Sequence, residues 1–343
     1  MFAALALAIA LQQAPAPEPF DARARIQEAI AAVRPAAYRS GEVDWAALEA
    51  DLLARSSDAR DTVDLLPVYS RLLEALGDRH SFVQVDPALR EAYKARHGRE
   101  FDADVVRPVQ TSTFIMRRER TARTLALGAA EAELVTAPKV FGGGQDARDY
   151  ADAVFSHVAA AADRACAYVV DLRGNVGGNV WPMKAGLSAL LGEAWLNADD
   201  YARFENGAFL INEGEHRDQV AARISNWRPL PRLADIPVAV LIDDGVASSG
   251  EGIALAFSGR VNTRFFGQGT AGVASSNEGF LLSDGVNLVV TTDMMRDRDG
   301  RTWPDGRPAD EPVAAGEGSR ADPDDAVVEA AKTWLTRLTA CGA

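Results

Sequence analysis

What this chain of 343 residues lacks narrows its possibilities early. It lacks an excess of positive charge: 36 lysines and arginines stand against 49 aspartates and glutamates, a formal net charge of −13. An acidic chain has no electrostatic means of holding nucleic acid or an anionic membrane. Its densest basic run, IMRRERTAR at 115–123, is broken by Glu119 and reads as a solvated hairpin face. Cysteine is scarce. Cys166 and Cys341 make neither a disulfide framework nor a C-x-x-C metal pair. Cys166, in the apolar run ACAYVVDL, is read as a free thiol packing as a small hydrophobe. No G-K-[ST] follows a glycine loop and no G-x-G-x-x-G is present, so the nucleotide-binding fingerprints are missing. Nothing calls for a metal or a cofactor.

Long apolar runs are also missing, except at the very start. MFAALALAIALQQAPAPEPF carries an apolar stretch too short to span a bilayer but long enough for the core of an export signal. Residues 1–18 are therefore expected to be a signal peptide, cut near Ala14, of a periplasmic or secreted protein. Without cleavage the same run is a frayed start on a cytoplasmic one. No later stretch could be a transmembrane helix.

What is present is enough apolar residue, 48%, to bury a sizeable core. Residues 19–79 read as amphipathic helices. Ile26, Ile30 and Val33 share one face, Trp45, Leu48 and Leu52 another, and a third segment runs from Val63 to Leu76 with Pro67 in its first turn. They predict a small helical cap on a larger α/β domain over 80–343. Strands are expected in VVRPVQTSTFIM, TLALG and AELVTA, a helix over 142–163, a strand in AYVVDLRGN, and a helix over 180–192. Strands return after 260, with SDGVN as a hairpin turn, and AVVEAAKTWLTRL closes the chain as a helix capped by Asp324 or Asp325.

The chain is organised around PVAVLIDDGVASSGEGIALAF at 237–257: a buried strand, a turn, and a helix opening at Ser248 or Ser249. A serine there sits beside free backbone N–H groups at the positive end of a helix dipole, a good place for a nucleophile whose intermediate carries an oxyanion. Ser248-Ser-Gly-Glu251 is also a capping box, in which serine and glutamate merely close the helix. A second loop, Asp171-Leu-Arg-Gly-Asn-Val-Gly-Gly-Asn179, follows another strand, and its glycines let the backbone come close to a bound group. In an α/β sheet both loops lie at the carboxyl ends of strands, where sites form. His80, in GDRHSF, stands at a helix-to-strand junction. His97, His157 and His216 read as loop or helix-surface residues. Trp181 and Met183 either line a pocket or belong to the core.

DLRGNVGGN, ASSGE opening a helix, FFGQGTAG, the D-G hairpin and the closing PAD together resemble the catalytic domain of the C-terminal-processing (tail-specific) serine peptidases and the tricorn protease core. GDRHSF resembles the histidine motif of the tricorn-like branch. The resemblance implies a ClpP/crotonase-like α/β core with β-rich segments and a small N-terminal helical bundle, without the PDZ-like module usual in the family. It implies Ser248 as nucleophile, with the oxyanion held by backbone N–H groups of Gly177 or Gly178 and of Ser249. Where the tail-specific branch has a lysine base, this chain has Val273, so the base expected is His80. No glutamate stands where the tricorn-like branch takes its acid. Asp297 is the carboxylate expected to orient His80, with Asp305 or an unassisted dyad as alternatives, and Asp78 is expected to anchor its own turn. The implied activity is a serine hydrolase, most simply a peptidase working through an acyl-enzyme. An esterase or amidase acting on a small non-peptide substrate and a silent ligand-binding relative are the other two readings.

Overall fold

The computed structural model describes residues 20–105, 120–192, 195, 202–211, 219–314 and 325–342. The expected signal peptide, the strand at 105–116 (beyond Val105) and His216 lie outside the described residues.

Two continuous apolar runs build the centre. β4 (Ala167–Asp171) and β8 (Val238–Ile242) are buried at every residue, as expected of parallel strands covered on both faces. They pair in parallel, Asp171 opposite Leu241, in a six-stranded sheet. Its order is β12 (Glu311–Pro312), β9 (Thr263–Gly267), β8, β4, β3 (Ala130–Thr136), β2 (Ala122–Leu127), parallel throughout except for β2. Side chains alternate across it. Tyr168, Val170, Val238 and Val240 pack with α5 (Gly144–Ala160), α6 (Val180–Gly186), α7 (Ser188–Leu191) and α8 (Ser249–Phe257). Val169, Ala239 and Leu241 pack on the other face against α9 (Ala326–Leu335). The expected α/β core is thus a three-layer structure. A small antiparallel sheet, β5 (Ala202–Glu205), β6 (Ala208–Ile211) and β7 (Gln219–Arg223), joins the α5–α6 side.

The N-terminal helices α1 (Ala22–Ala36), α2 (Trp45–Arg55) and α3 (Thr62–Glu74) form as the periodicity implies. Pro67 falls in the second turn of α3 rather than the first. Their core is shared with Leu288 and Val290 of β11 (Asn287–Met294), which pairs with β10 (Ser275–Leu281) and β1 (Phe82–Gln84). The cap therefore packs on a second sheet that belongs to the C-terminal half of the chain. One helix escaped the sequence reading: α4 (Pro87–His97), which buries only Tyr93 and so shows no apolar stripe. Its signals were an Asp86 cap, proline at the first position and Gly98 in the left-handed region at its end.

The cysteine expectation is corrected. Cys166 and Cys341 form a disulfide, with Cα atoms 5.2 Å apart. The pairing is spatial: the last turn of the chain, after α9, returns to the start of β4, and residues that far apart in sequence carry no spacing signal.

Candidate functional site

The two loops singled out in the sequence leave the carboxyl ends of neighbouring strands and are stitched together. Ala247 donates its N–H to the Asn175 carbonyl at 3.0 Å. Ser249 Oγ donates to the Gly178 carbonyl at 2.7 Å, and the Gly174 N–H donates to the Asp243 carboxylate at 3.0 Å. The approach needs glycine on both sides. A Cβ on Gly177 would lie 2.8 Å from the Ala247 carbonyl and the Ser249 nitrogen, and one on Gly250 would lie 2.1 Å from the Asn175 carbonyl.

Behind the glycine loop stands a buried ion cluster. The Arg173 guanidinium, 3% exposed, donates to both oxygens of Asp171 and both of Asp325 at 2.8–3.0 Å. Asp325 also caps α9 through Val327 and Val328. The DLRGN motif is thus the anchor between β4 and the last helix, and Asp325 is that helix's cap.

Ser248 ends the other loop at φ 52° and ψ −125°. A serine that only caps a helix takes an ordinary extended conformation. Holding a non-glycine residue in the left-handed region costs about 1–3 kcal/mol and marks functional turns. The capping box is formed as well: Ser248 and Glu251 face each other's main chains, and Glu251 accepts from the Ser248 N–H at 3.2 Å. Glu251 also accepts from Thr270 Oγ1 at 2.6 Å, Gly272 N–H at 2.9 Å and Val273 N–H at 2.7 Å. Its carboxyl is pushed up by burial, against the pull of those donors.

His80 lies in the loop between α3 and β1. Asp78 accepts from the N–H groups of His80 and Ser81 at 2.9 and 2.7 Å, so it anchors its own turn as expected. Arg79, also in the left-handed region at φ 61°, reaches across to the Gly272 carbonyl at 3.3 Å. That carbonyl belongs to the loop held by Glu251, which ties the histidine loop to the serine turn. His80, Ser248, Ser249 and Gly178 all line one cavity of about 960 Å³. Its walls are mostly apolar, with Leu73 from the cap, Phe82, Phe141, Val176, Val273 and Met295 among them.

Three expectations change here. Asp297 is not at this cavity. Its carboxylate accepts from the N–H groups of Asp299 and Arg301 at 2.9 Å and from Trp303 Nε1 at 3.0 Å, holding its own loop closed. Asp305, the alternative, is exposed and does not line the cavity either. The partner of His80 Nδ1 is a hydroxyl the sequence reading missed, Ser275 Oγ at 2.7 Å. Nothing in the sequence marked Ser275, a polar residue at the start of a strand. Gly177 is also set apart from Gly178: its N–H is already given to Asn175 Oδ1 at 2.9 Å, and it does not line the cavity. The N–H groups of Gly178 and Ser249 have no hydrogen-bond partner among the described residues. Met183 and Trp181 belong to the core: Met183 is fully buried and Trp181 packs on Phe209 at 5.4 Å. Among the described residues no group of three or more His, Cys, Asp or Glu could hold a metal ion, and no helix is long and apolar enough to cross a membrane.

Residues 141–310, which span both loops, match the model of peptidase family S41. The chain is 28% identical over 256 residues to the nisin-resistance protein of Lactococcus lactis subsp. lactis, covering 74% of this chain and 71% of that protein. Its fold is similar to that of a lipoprotein from Streptococcus agalactiae, with a TM-score of 0.59 at 18% identity over 95% of this chain and 99% of that one. It is also similar to the photosystem II D1 C-terminal processing protease, with a TM-score of 0.56 at 16% identity over 86% and 94% of the two chains.

Proposed function

Because the chain carries a peptidase family S41 domain, we propose that it is a serine peptidase with Ser248 as nucleophile and His80 as general base. The observation that carries this reading is Ser248, held in a strained backbone at the start of α8 and lining the same cavity as His80. A strained strand-to-helix turn exposes a nucleophile's oxygen beside unpaired N–H groups.

Ser248 Oγ attacks the substrate carbonyl carbon as His80 takes its proton. The oxyanion that forms is met by the N–H groups of Gly178 and Ser249. His80 then gives the proton to the departing amine, and water releases the acyl group by the reverse sequence. Two donors aimed at the oxyanion lower the barrier by roughly several kcal/mol. The apolar walls suit an apolar substrate side chain. The match of residues 141–310 to a peptidase family favours a peptide over a small ester. The disulfide supports a location outside the reducing cytosol.

The test is covalent labelling with a fluorophosphonate, read by intact mass. One adduct on the parent and none on Ser248→Ala is the expected outcome. No adduct on the parent, or equal labelling of Ser248→Ala, rules the reading out. Casein and short peptides run against p-nitrophenyl esters decide the substrate class.

A further inference from the structure

The group at His80 Nδ1 is the Ser275 hydroxyl, and its neighbours bear on what it does. We propose that Ser275 is the positioning residue of His80: its hydroxyl holds the imidazole in the tautomer with the proton on Nδ1, so that Nε2 is the unprotonated nitrogen that receives the Ser248 proton. This rests on the reading of His80 as the base.

His80 Nδ1 and Ser275 Oγ are 2.7 Å apart. A hydroxyl and a neutral imidazole nitrogen can each give or accept, so the distance alone leaves the direction open. Asn277 bears on the direction. Its Nδ2 stands 3.1 Å from the main-chain oxygen of His80. That oxygen only accepts, so the amide must turn its nitrogen there and its Oδ1 the other way. Oδ1 then lies 3.4 Å from Ser275 Oγ and 3.4 Å from Thr291 Oγ1. An amide oxygen also only accepts, so a Ser275 proton turned toward Asn277 leaves the Ser275 lone pair for His80, and in that arrangement Nδ1 is the donor. The two 3.4 Å contacts are long for hydroxyl hydrogen bonds, and Thr291 offers Asn277 a second proton, so the tautomer is what the experiment below reads. With Ser275 only 4% exposed, little water competes for these groups.

The frame is rigid on its far side too. Asn277 pairs with Thr291 across β10 and β11. The Thr291 N–H donates to Ser81 Oγ at 2.9 Å, and Ser81 Oγ donates to Asp78 at 2.7 Å. Strand, turn and histidine are thus locked by one circuit of neutral groups with Asp78 at its end. In this arrangement the imidazole is oriented at Nδ1 by a hydroxyl.

The test uses the full chain labelled with ¹⁵N-histidine, with long-range proton–nitrogen spectra at about pH 8.5, above the usual imidazole range. His80 is assigned by its loss in His80→Gln. The expected spectrum shows Nδ1 protonated and Nε2 bare, and a mixture of tautomers in Ser275→Ala. Fluorophosphonate inactivation is expected to slow about tenfold to a hundredfold in Ser275→Ala, and peptidase kcat to fall likewise with KM within about twofold. Ser275→Thr, which keeps the hydroxyl, restores the Nδ1 tautomer. A parent His80 protonated on Nε2 overturns the proposal, as does Ser275→Ala reacting at the parent rate. The tautomer measurement needs no turnover. An Nδ1-protonated His80 in a chain that never labels therefore rejects the catalytic reading while upholding the tautomer.

Discussion

The Glu251 carboxylate and the Ser248 main chain hold each other at 3.2 Å across the first turn of α8. The same carboxylate gathers Thr270, Gly272 and Val273, so one buried acid fixes both the serine turn and the loop to which Arg79 reaches. What reads in the sequence as half of a helix cap is the joint of the site.

Glu251→Ala leaves three N–H groups and one hydroxyl without an acceptor in a buried place. Each unmet group costs about 1–3 kcal/mol, so the urea midpoint is expected to fall steeply. Glu251→Gln keeps the shape but turns an amide nitrogen toward donors. It is expected to lose less stability and to slow fluorophosphonate labelling at least about tenfold. Equal labelling by Glu251→Gln and the parent would show that the acid serves the fold alone.

Gly177→Ala places a Cβ 2.8–2.9 Å from the Ala247 carbonyl, the Ser249 nitrogen and the Ser248 Cβ, at a backbone φ of 99°. The displacement falls on the serine turn. A shift of about 1 Å there can lower the rate by about a hundredfold. The expected outcome is a folded protein by circular dichroism with labelling reduced on that scale.

Arg173→Met removes the cation between Asp171 and Asp325. Breaking a buried pair from one side costs about 3–5 kcal/mol, because the carboxylates left behind stay buried. Urea denaturation measures the loss. Restoring charge balance with Asp325→Asn in the same chain is expected to recover part of it.

Asp64 supplies the pH dependence. Burial raises its pKa, but the Arg96 and Arg60 donors outweigh burial and bring it from 3.8 down to about 2. The native carboxyl therefore binds protons less readily than the unfolded one. Its contribution to stability is complete above the unfolded value and is lost as pH falls through the folded value, between 3.8 and about 2. The melting temperature of the parent is expected to drop across that window more steeply than that of Asp64→Asn. Parallel curves would remove Asp64 from the account.

The parts legible in the sequence are those whose physics is local. β4 and β8 are buried on both faces, so they appear as unbroken apolar runs. The glycines of DLRGNVGGN and the S-x-x-E start of α8 carry turn and cap chemistry in their own letters. The disulfide and the hydroxyl at His80 were not legible, because each depends on which strands and loops meet. Asp297 stood near the right place in sequence, yet its oxygens are taken by its own loop. Gly177 looked equivalent to Gly178 until Asn175 claimed its N–H.

The Cys166–Cys341 bond has a consequence for the chain's wholeness. It closes a covalent ring that contains the glycine loop, Ser248, Glu251 and both members of the Arg173–Asp325 pair. A single break in the ring leaves one molecule, with the nucleophile still tethered to the loop that faces it. His80 lies outside that ring. Severing the backbone between His80 and Cys166 would leave it attached to the nucleophile's half by docking alone, through contacts such as Arg79 on Gly272 and Asn277 on its own carbonyl.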